Sequence, residues 1–257
     1  MGLAIDLSSK AAIVFGVANH RSIAWAIARR LHEAGAHLTV TYQNERLGRN
    51  VLDLIKELDG AQAVECDVLD EASVRAAVDA ATGAAPLGAV VHSVAFANKE
   101  DLESDFSATG VEGFRTALEV SAYSLLPVAR ASVQKMTDGG SILTLTFHAA
   151  DKVYPGYNVM GVAKAALESE VKQLAAEYGK RGIRVNAISA GPLNTLSARG
   201  ISGFTDMQQA HADRSPLGRN ITQDEVGSAA AFLSSPLASG ITGHVLYVDA
   251  GYNIMGV

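Results

Sequence analysis

Residues 11–31 have the sequence AAIVFGVANHRSIAWAIARRL, which predicts a buried strand, a tight turn and a helix. The run Ala11–Phe15 is apolar throughout and is followed directly by Gly16. Beyond the turn, apolar residues recur at the spacing of one helical stripe, at Ile23, Ile27 and Leu31. This strand–turn–helix unit is the first of a series that decides the fold.

The turn after the first strand has features of a phosphate-binding loop. Small residues at Gly16 and beyond would let the backbone approach a dinucleotide, and the N–H groups that begin a helix favour an anion. The regular pattern G-x-G-x-x-G is absent, because Gly16 is the only glycine of this turn. The same residues also suit an ordinary β–α turn in which Ser22 caps the helix. Both interpretations stay open at this point.

Short apolar runs alternate with longer segments of helical spacing along the whole chain. Such alternation is typical of βαβ units, and near-continuous apolar strands indicate a sheet covered on both faces. No composition shift, linker or repeat divides the chain. We therefore predict an α/β fold, a single doubly wound Rossmann-type domain over residues 1–257 with a central parallel sheet flanked by helices. The predicted strands are Ala11–Phe15, His37–Tyr42, Ala61–Glu65, Ala89–His92, Ser141–Thr146, Arg184–Ile188 and His244–Val248.

The composition excludes several other classes of protein. The 257 residues are 48% hydrophobic and carry 21 Lys+Arg against 27 Asp+Glu, a net charge of −6. Such a chain is too apolar for disorder, and its charge disfavours a nucleic-acid binder. Cys66 is the only cysteine, which excludes an intrachain disulfide and a cysteine-only metal site, and no metal is expected. Without a signal-peptide pattern or an apolar run of roughly 18–20 residues, we expect a cytoplasmic protein with no membrane partner.

Polar residues follow the second and third predicted strands. Gln43 stands where NAD-binding folds usually place an acidic residue that holds the adenosine ribose. Because Gln43 adds no charge and Arg46 is near, a 2′-phosphate is electrostatically tolerated, and NADPH stays open beside NADH. Asp67 could accept a hydrogen bond from the adenine amino group, or it could equally be a turn or helix-cap residue.

Tyr157 and Lys164 form the most informative pair in the sequence. They are seven positions apart, so on a helix about two turns would place both on one face. A phenol can donate to an oxyanion that develops during hydride transfer to an enone or enoyl system, and an ammonium can bind the nicotinamide ribose. Taken alone, a tyrosine and a lysine at this spacing also occur by chance on exposed helices. Their place after a strand of a nucleotide-binding pattern favours the functional interpretation.

At these residues the chain resembles the enoyl-acyl carrier protein reductases of bacterial fatty-acid synthesis, a divergent branch of the short-chain dehydrogenase/reductase superfamily. The resemblance runs from about Leu7 to the C-terminus, and the Tyr-x6-Lys spacing separates this branch from the Tyr-x3-Lys of the main superfamily. The segments that carry it are 16–18, 22–24, 41–43, 66–68, 92–97, 121–124, 157–164, 184–192 and 240–243.

The resemblance implies a role for each matching residue. Tyr157 would stabilise the enolate oxygen, and Lys164 would bind the ribose of NADH. It implies contacts with the cofactor for Gly16, Ser22, Ile23, Gln43, Asp67, Val68, Ser93, Val94, Leu193 and Thr195. It implies contacts with the substrate for Ala97, Phe147 and Met207.

The resemblance also implies features outside the reacting centre. It predicts a flexible substrate-binding loop at about residues 194–212, an enoyl-acyl carrier protein as the partner, and a homotetramer. Because acyl carrier protein is acidic, its docking site should be locally basic despite the net charge of −6. The candidate side chains are Arg199, Arg214 and Arg219.

Phe147 departs from the pattern of many members, which carry a second tyrosine ten residues before the helix tyrosine. Phenylalanine cannot donate a proton, so it should instead pack against the acyl chain or the nicotinamide. His148 is its neighbour and should point to the opposite face. Three alternatives remain: a related reductase of another unsaturated or keto substrate, a non-catalytic NAD-binding protein, and a methyltransferase on a similar layout.

Overall fold

The computed structural model describes residues 4–195 and 203–256. In these ranges the strands are β1 (Ala11–Phe15), β2 (His37–Tyr42), β3 (Gln62–Glu65), β4 (Leu87–His92), β5 (Gly140–Thr146), β6 (Ile183–Ala190) and β7 (Val245–Val248). The helices are α1 (Ile23–Glu33), α2 (Glu45–Leu54), α3 (Glu71–Ala81), α4 (Lys99–Glu103), α5 (Val111–Leu118), α6 (Leu125–Val133), α7 (Val159–Tyr178), α8 (Phe204–Arg214) and α9 (Gln223–Ser234). None of these helices is long and apolar enough to cross a membrane.

The strands form one sheet in the order β3-β2-β1-β4-β5-β6-β7, and every neighbouring pair is parallel. The chain first moves outward from β1 to β3 and then returns to place β4 on the other side of β1. This reversal leaves a crevice beyond the carboxyl ends of β1 and β4, which is where ligands bind in open α/β sheets. The α/β doubly wound prediction is confirmed.

Both faces of the sheet are covered, which accounts for the unbroken apolar strands. Alternate side chains of β1 enter two different clusters: Ala12 and Val14 pack with α1 and α9, whereas Ile13 and Phe15 pack with α3, α6 and α7. A strand that is buried on both sides has no solvent-facing position to occupy with a polar residue. The sheet is therefore a rigid support for the residues that follow each strand.

The region around residues 194–212 differs from the predicted loop. Its second half is helical, because α8 runs from Phe204 to Arg214, and Gly203 precedes it with a φ of 70°. The rest of the predicted loop, residues 196–202 with Arg199 among them, lies outside the described residues. The turn-forming residues Gly200, Ser202, Gly203 and Pro216 predicted an irregular loop, but a helix lies between Gly203 and Pro216.

Candidate active site

A cleft of about 690 Å³ opens at the carboxyl ends of the central strands. Its walls come from the segments after β1, β4, β5 and β6, from the start of α7 and from α8. The fold brings residues from distant parts of the chain together here. The predicted site residues that line it are Gly16, Ser22, Ile23, Ser93, Val94, Ala97, Phe147, Tyr157, Lys164, Leu193, Thr195 and Met207.

Gln43, Asp67 and Val68 lie apart from this cleft, after the carboxyl ends of β2 and β3. Gln43 is exposed, and so is Asp67, whose carboxylate accepts a hydrogen bond from the Leu69 N–H at 3.0 Å. The side chain of Val68 is buried in the core cluster below the sheet edge. These residues continue the line of the crevice past β1, and their contacts with an adenosine group stay predictions.

The turn after β1 is shaped by a close approach between Gly16 and Ser93. Gly16 has a φ of 92°, and a Cβ at this position would lie 2.3 Å from the backbone oxygen of Ser93. Only glycine satisfies both the left-handed backbone and the lack of space. The approach lets the backbone after β1 pack directly against the backbone after β4 at the edge of the cleft.

Ser22 immediately precedes α1 but does not cap it with its side chain. Its hydroxyl accepts instead from the N–H groups of Ala18 and Asn19, at 3.2 and 3.0 Å, and so closes the preceding turn. The first N–H groups of α1 have no capping side chain among the described residues and face the end of the cleft where Ser22 and Ile23 lie. The interpretation of Ser22 as a helix cap is therefore wrong, and the turn suits an anion.

Tyr157 and Lys164 both line the cleft, although they do not share a helix. The α7 helix begins at Val159, so Tyr157 belongs to the turn that precedes it. The expectation that two helical turns align the pair is wrong in its geometry. Pro155 and Gly156 come just before Tyr157 and are the residues that signalled a turn at this point.

Asn158 fixes the turn that carries Tyr157. Its backbone has a φ of 39°, a conformation that residues other than glycine rarely adopt. Its amide Nδ2 donates to the backbone oxygen of Ser104 at 2.7 Å, and to those of Asp101 and Leu102 at 3.3 Å each. The α4 region thus holds the backbone beside Tyr157, a contact between distant segments that no local pattern of residues indicates.

Lys164 is 5% exposed and donates from Nζ to the backbone oxygen of Leu145 at 2.8 Å. Burial lowers the pKa of Lys164 to about 8, against the opposing effect of the Glu168 carboxylate. Burial also raises the pKa of Tyr157 above its ordinary value. At neutral pH the site therefore presents a protonated phenol and an ammonium group that a modest rise in pH would discharge.

His92 lies behind the site and was not singled out from the sequence. It is fully buried, and burial lowers its pKa to about 3, with the charge of Lys164 acting in the same direction. The neutral ring joins β5 to the start of α6, with Nδ1 3.0 Å from the Thr144 hydroxyl and Nε2 2.8 Å from the Ser124 hydroxyl. Each of these hydroxyls has a second partner, because Ser124 donates to the Val120 oxygen at 2.7 Å and Thr144 donates to the backbone oxygen of His92 at 3.2 Å.

Phe147 packs between two phenols and has no polar group of its own. Its ring centroid lies 4.7 Å from that of Tyr154 and 5.0 Å from that of Tyr157. His148 does not line the cleft, although it begins a 3₁₀ turn and is not an extended residue as predicted, and its Nδ1 lies 3.1 Å from the Tyr154 hydroxyl. Tyr154 therefore bonds behind the site and does not replace the missing hydroxyl at position 147.

These features define the class of protein to which the chain belongs. A doubly wound parallel sheet whose crevice holds a tyrosine and a lysine is the arrangement of a nucleotide-dependent reductase of the short-chain dehydrogenase/reductase type. A family model described as Enoyl-(Acyl carrier protein) reductase matches residues 16–253. The chain belongs to the enoyl-(acyl carrier protein) reductase family.

Individual relatives and solved structures agree with this assignment. The enoyl-[acyl-carrier-protein] reductase [NADH] of Bacillus cereus is 49% identical over 97% of this chain and 99% of its own length. That of a Nostoc species is 47% identical over 98% of this chain and 100% of its own length. A Bacillus cereus reductase crystallised with NADP+ and an indole naphthyridinone has a TM-score of 0.95, with 48% identity over 99% of this chain and 100% of that one. An Anaplasma phagocytophilum reductase in complex with NAD has a TM-score of 0.92 and 41% identity, and the match covers 99% of this chain and 96% of that one.

Proposed function

We propose that this chain reduces the trans-2 double bond of an enoyl thioester on acyl carrier protein, with NADH as cofactor, in bacterial fatty-acid synthesis. The observation that carries the proposal is the meeting of the Gly16 turn and the Tyr157–Lys164 pair on one cleft. The first feature suits a dinucleotide and the second suits a developing oxyanion. The family relatives support the same activity.

The cleft has room and chemistry for a dinucleotide. A Cβ at Gly16 would clash with the Ser93 backbone that borders the cleft, and the N-terminus of α1, which has no side-chain cap, supplies N–H groups to an anion. On this basis the pyrophosphate lies against Gly16, Ser22 and Ile23. Ser93 and Val94 contact the middle of the cofactor, and Leu193 and Thr195 its nicotinamide side. Gln43, Asp67 and Val68 hold the adenosine half, where the lack of an acidic residue at position 43 also tolerates NADPH.

NADH supplies a hydride to C3 of the enoyl group. The Tyr157 hydroxyl donates to the thioester oxygen as negative charge develops there, which is the kind of preorganised donor that stabilises an oxyanion. Its raised pKa keeps it protonated throughout the physiological range. Lys164 binds the nicotinamide ribose with its ammonium group. The proton at C2 comes from solvent or a relay, because Phe147 has none to give.

The acyl chain has an apolar wall available in the same cleft. Ala97, Phe147 and Met207 line it, and Phe204 of α8 lies beside them. Apolar side chains on several sides of a cleft favour a hydrocarbon chain over a charged substrate. We therefore assign the acyl group to the α8 side of the cleft, within the predicted loop at residues 194–212.

We further propose that the enzyme is a cytoplasmic homotetramer that docks acyl carrier protein by local positive charge. Val111 and Phe114 of α5 and Tyr123, shortly before α6, are exposed apolar residues, which supports contact with another copy. Arg219 is paired with Glu225 at 2.6 Å, whereas Arg214 is exposed and forms no ion pair within the described residues. Light scattering would show the mass of four chains, and Arg214→Glu should weaken docking of the carrier protein.

Steady-state oxidation of NADH with a crotonyl thioester tests the proposed activity. We expect turnover with both coenzyme A and acyl carrier protein thioesters, and parallel assays with NADPH would measure the cofactor preference. A keto-substrate panel covers the related reductases, and a binding assay with the methyl donor covers the methyltransferase alternative. Tight NADH binding without turnover on any enoyl thioester would instead identify a non-catalytic protein.

A further inference from the structure

One face of the α8 helix contacts both the cleft and the rest of the protein. Phe204 and Met207 in its first half line the cleft, whereas Gln208 and His211 in its second half pack on the protein. Positions i, i+3, i+4 and i+7 of a helix lie on the same side. The attachment of the second half therefore sets where the first half meets the acyl group.

His211 is the centre of that attachment. Its side chain is 2% exposed and stacks on Tyr252, with centroids 4.2 Å apart and planes at 15°. On its other side is Gly191, where a Cβ would lie 3.0 Å from Cε1 of His211. Gln208 adds a hydrogen bond from Nε2 to the Pro192 oxygen at 3.2 Å. The helix is thus seated on the segment that leaves β6 and on the turn that follows β7.

The turn that follows β7 is a firm base for the stack. The Asp249 carboxylate accepts from the N–H groups of Gly251 and Asn253, at 2.9 and 2.8 Å, and from Nδ2 of Asn253. Leu217, beyond the end of α8, donates its N–H to the Ala250 oxygen at 3.2 Å. These hydrogen bonds hold the turn that carries Tyr252, the residue on which His211 stacks.

The imidazole of His211 contributes its flat face to the stack, and one of its two nitrogens makes no hydrogen bond among the described residues. Its Nδ1 is buried and has no hydrogen-bond partner among the described residues. Burial lowers its pKa, with the nearby His148 acting in the same direction and Asp249 opposing, so the ring is neutral at pH 7. An aromatic hydrocarbon ring could take its place without the loss of any hydrogen bond from Nδ1.

We infer that His211 is a positioning residue for the acyl substrate, because its stack on Tyr252 fixes Phe204 and Met207 over the apolar part of the cleft. The inference rests on the proposed function for the identity of the substrate. The placement of α8 itself depends only on the contacts of His211, Gln208 and Tyr252. The pyrophosphate side of the cleft, around Gly16 and Ser22, is not touched by this stack, whereas Gly191 leads into the nicotinamide side at Leu193.

Two independent readouts test the inference. In hydrogen–deuterium exchange of the full chain, His211→Ala should raise exchange in residues 204–214 while α7 keeps its protection, and His211→Phe should keep the wild-type pattern. This measurement needs no turnover, so it tests the role of His211 even if the proposed activity is absent. An exposed control, His37→Ala, should leave exchange unchanged in both segments.

In the kinetic readout, His211→Ala should raise KM for a long-chain enoyl thioester by about tenfold and change NADH affinity less than about twofold. Tyr252→Leu should give the same split, and His211→Phe should restore KM to within about threefold of wild type. Equal losses of NADH and acyl affinity, or a failure of phenylalanine to restore either readout, would overturn the inference. Lack of wild-type turnover would refute the proposed function and leave the exchange result to decide the role of His211.

Discussion

The ring of Phe147 rests against the ring of Tyr157, with centroids 5.0 Å apart and planes at 53°. A tilted contact of this kind contributes about 0.5–1.5 kcal/mol beyond simple burial. Phe147 therefore orients the phenol of Tyr157 by packing, and chemistry at position 147 is unnecessary for that role. The absence of a tyrosine here is compatible with a working site.

The variant Phe147→Tyr should leave kcat within about threefold of wild type, because the new hydroxyl adds no group that the proposed reaction needs. Phe147→Ala should lower kcat by about tenfold or more, because the ring that holds Tyr157 is lost. Steady-state kinetics with a crotonyl thioester measures both. A large gain of activity in Phe147→Tyr would show that a hydroxyl at this position matters.

Tyr157→Phe removes the proposed donor to the thioester oxygen and keeps the aromatic ring. We expect kcat to fall by about 10²–10³-fold, the usual cost of losing one oxyanion donor. NADH affinity, measured by fluorescence titration, should stay near the wild-type value. Tyr154→Phe is the matched control, because that hydroxyl bonds to His148 behind the site. Similar losses in the two variants would contradict the assignment of Tyr157.

Lys164 should give the alkaline limb of the pH profile. Its pKa is lowered to about 8, so the ammonium is present below that pH and is lost as the pH rises through it. We expect kcat/KM, which reports the free enzyme, to fall above about pH 8. Lys164→Arg keeps its charge at high pH and should move the limb upward. Lys180→Arg, at an exposed position, should leave the profile where it is.

Gly16→Ala tests the close approach between Gly16 and Ser93. The substitution imposes a φ of 92° on alanine and brings its Cβ to 2.3 Å from the Ser93 oxygen, so NADH binding should be lost or greatly weakened. Gly60→Ala is a matched control, since its φ is 74° but nothing lies within 4 Å of the added Cβ. It should cost about 1–2 kcal/mol of folding free energy from strain alone. Equal NADH affinities in the two variants would refute the role of the close approach.

His92 should make the enzyme sensitive to acid. Its pKa is about 3 in the folded chain against an ordinary value of 6.5, so between these values only the unfolded chain binds the proton. The free energy of unfolding therefore decreases as the pH falls through this window, by up to about 1.4 kcal/mol per pH unit from this group. His92→Gln should flatten that slope in urea unfolding at several pH values. The exposed control His37→Gln should keep the wild-type slope.

The sheet and most of the cleft could be predicted because their signals are local. Unbroken apolar runs such as Ala11–Phe15 report burial on both faces, and the parallel order follows from the intervening helices. Once the strands are parallel, the residues after each of them must meet at one edge, which is why Ser93, Phe147 and Leu193 line one cleft. The predicted one-domain organisation of residues 1–257 stays a prediction.

Other parts of the site depend on contacts between distant residues, which no local pattern reveals. Asn158 reaches carbonyl groups near Ser104, and His92 joins hydroxyls on β5 and beside α6. Tyr157 lies before α7, at a turn that Pro155 and Gly156 indicate and that an argument from helical spacing alone does not take into account. The helical part of residues 194–212 was not predicted because its sequence has little helical periodicity of its own. Its position depends on docking on the turn at Tyr252.

The placement of β4 beside β1 also determines when the protein can first bind its cofactor. Gly16 and Ser93 face each other only after a chain excursion through β2 and β3 has been completed, and Leu193 joins them only when β6 has paired with β5. A growing polypeptide therefore emerges from the ribosome without any competent binding surface until nearly all of it has been made. Since a ligand stabilises only the state that binds it, NADH would protect the finished enzyme from degradation and could not assist an incomplete one.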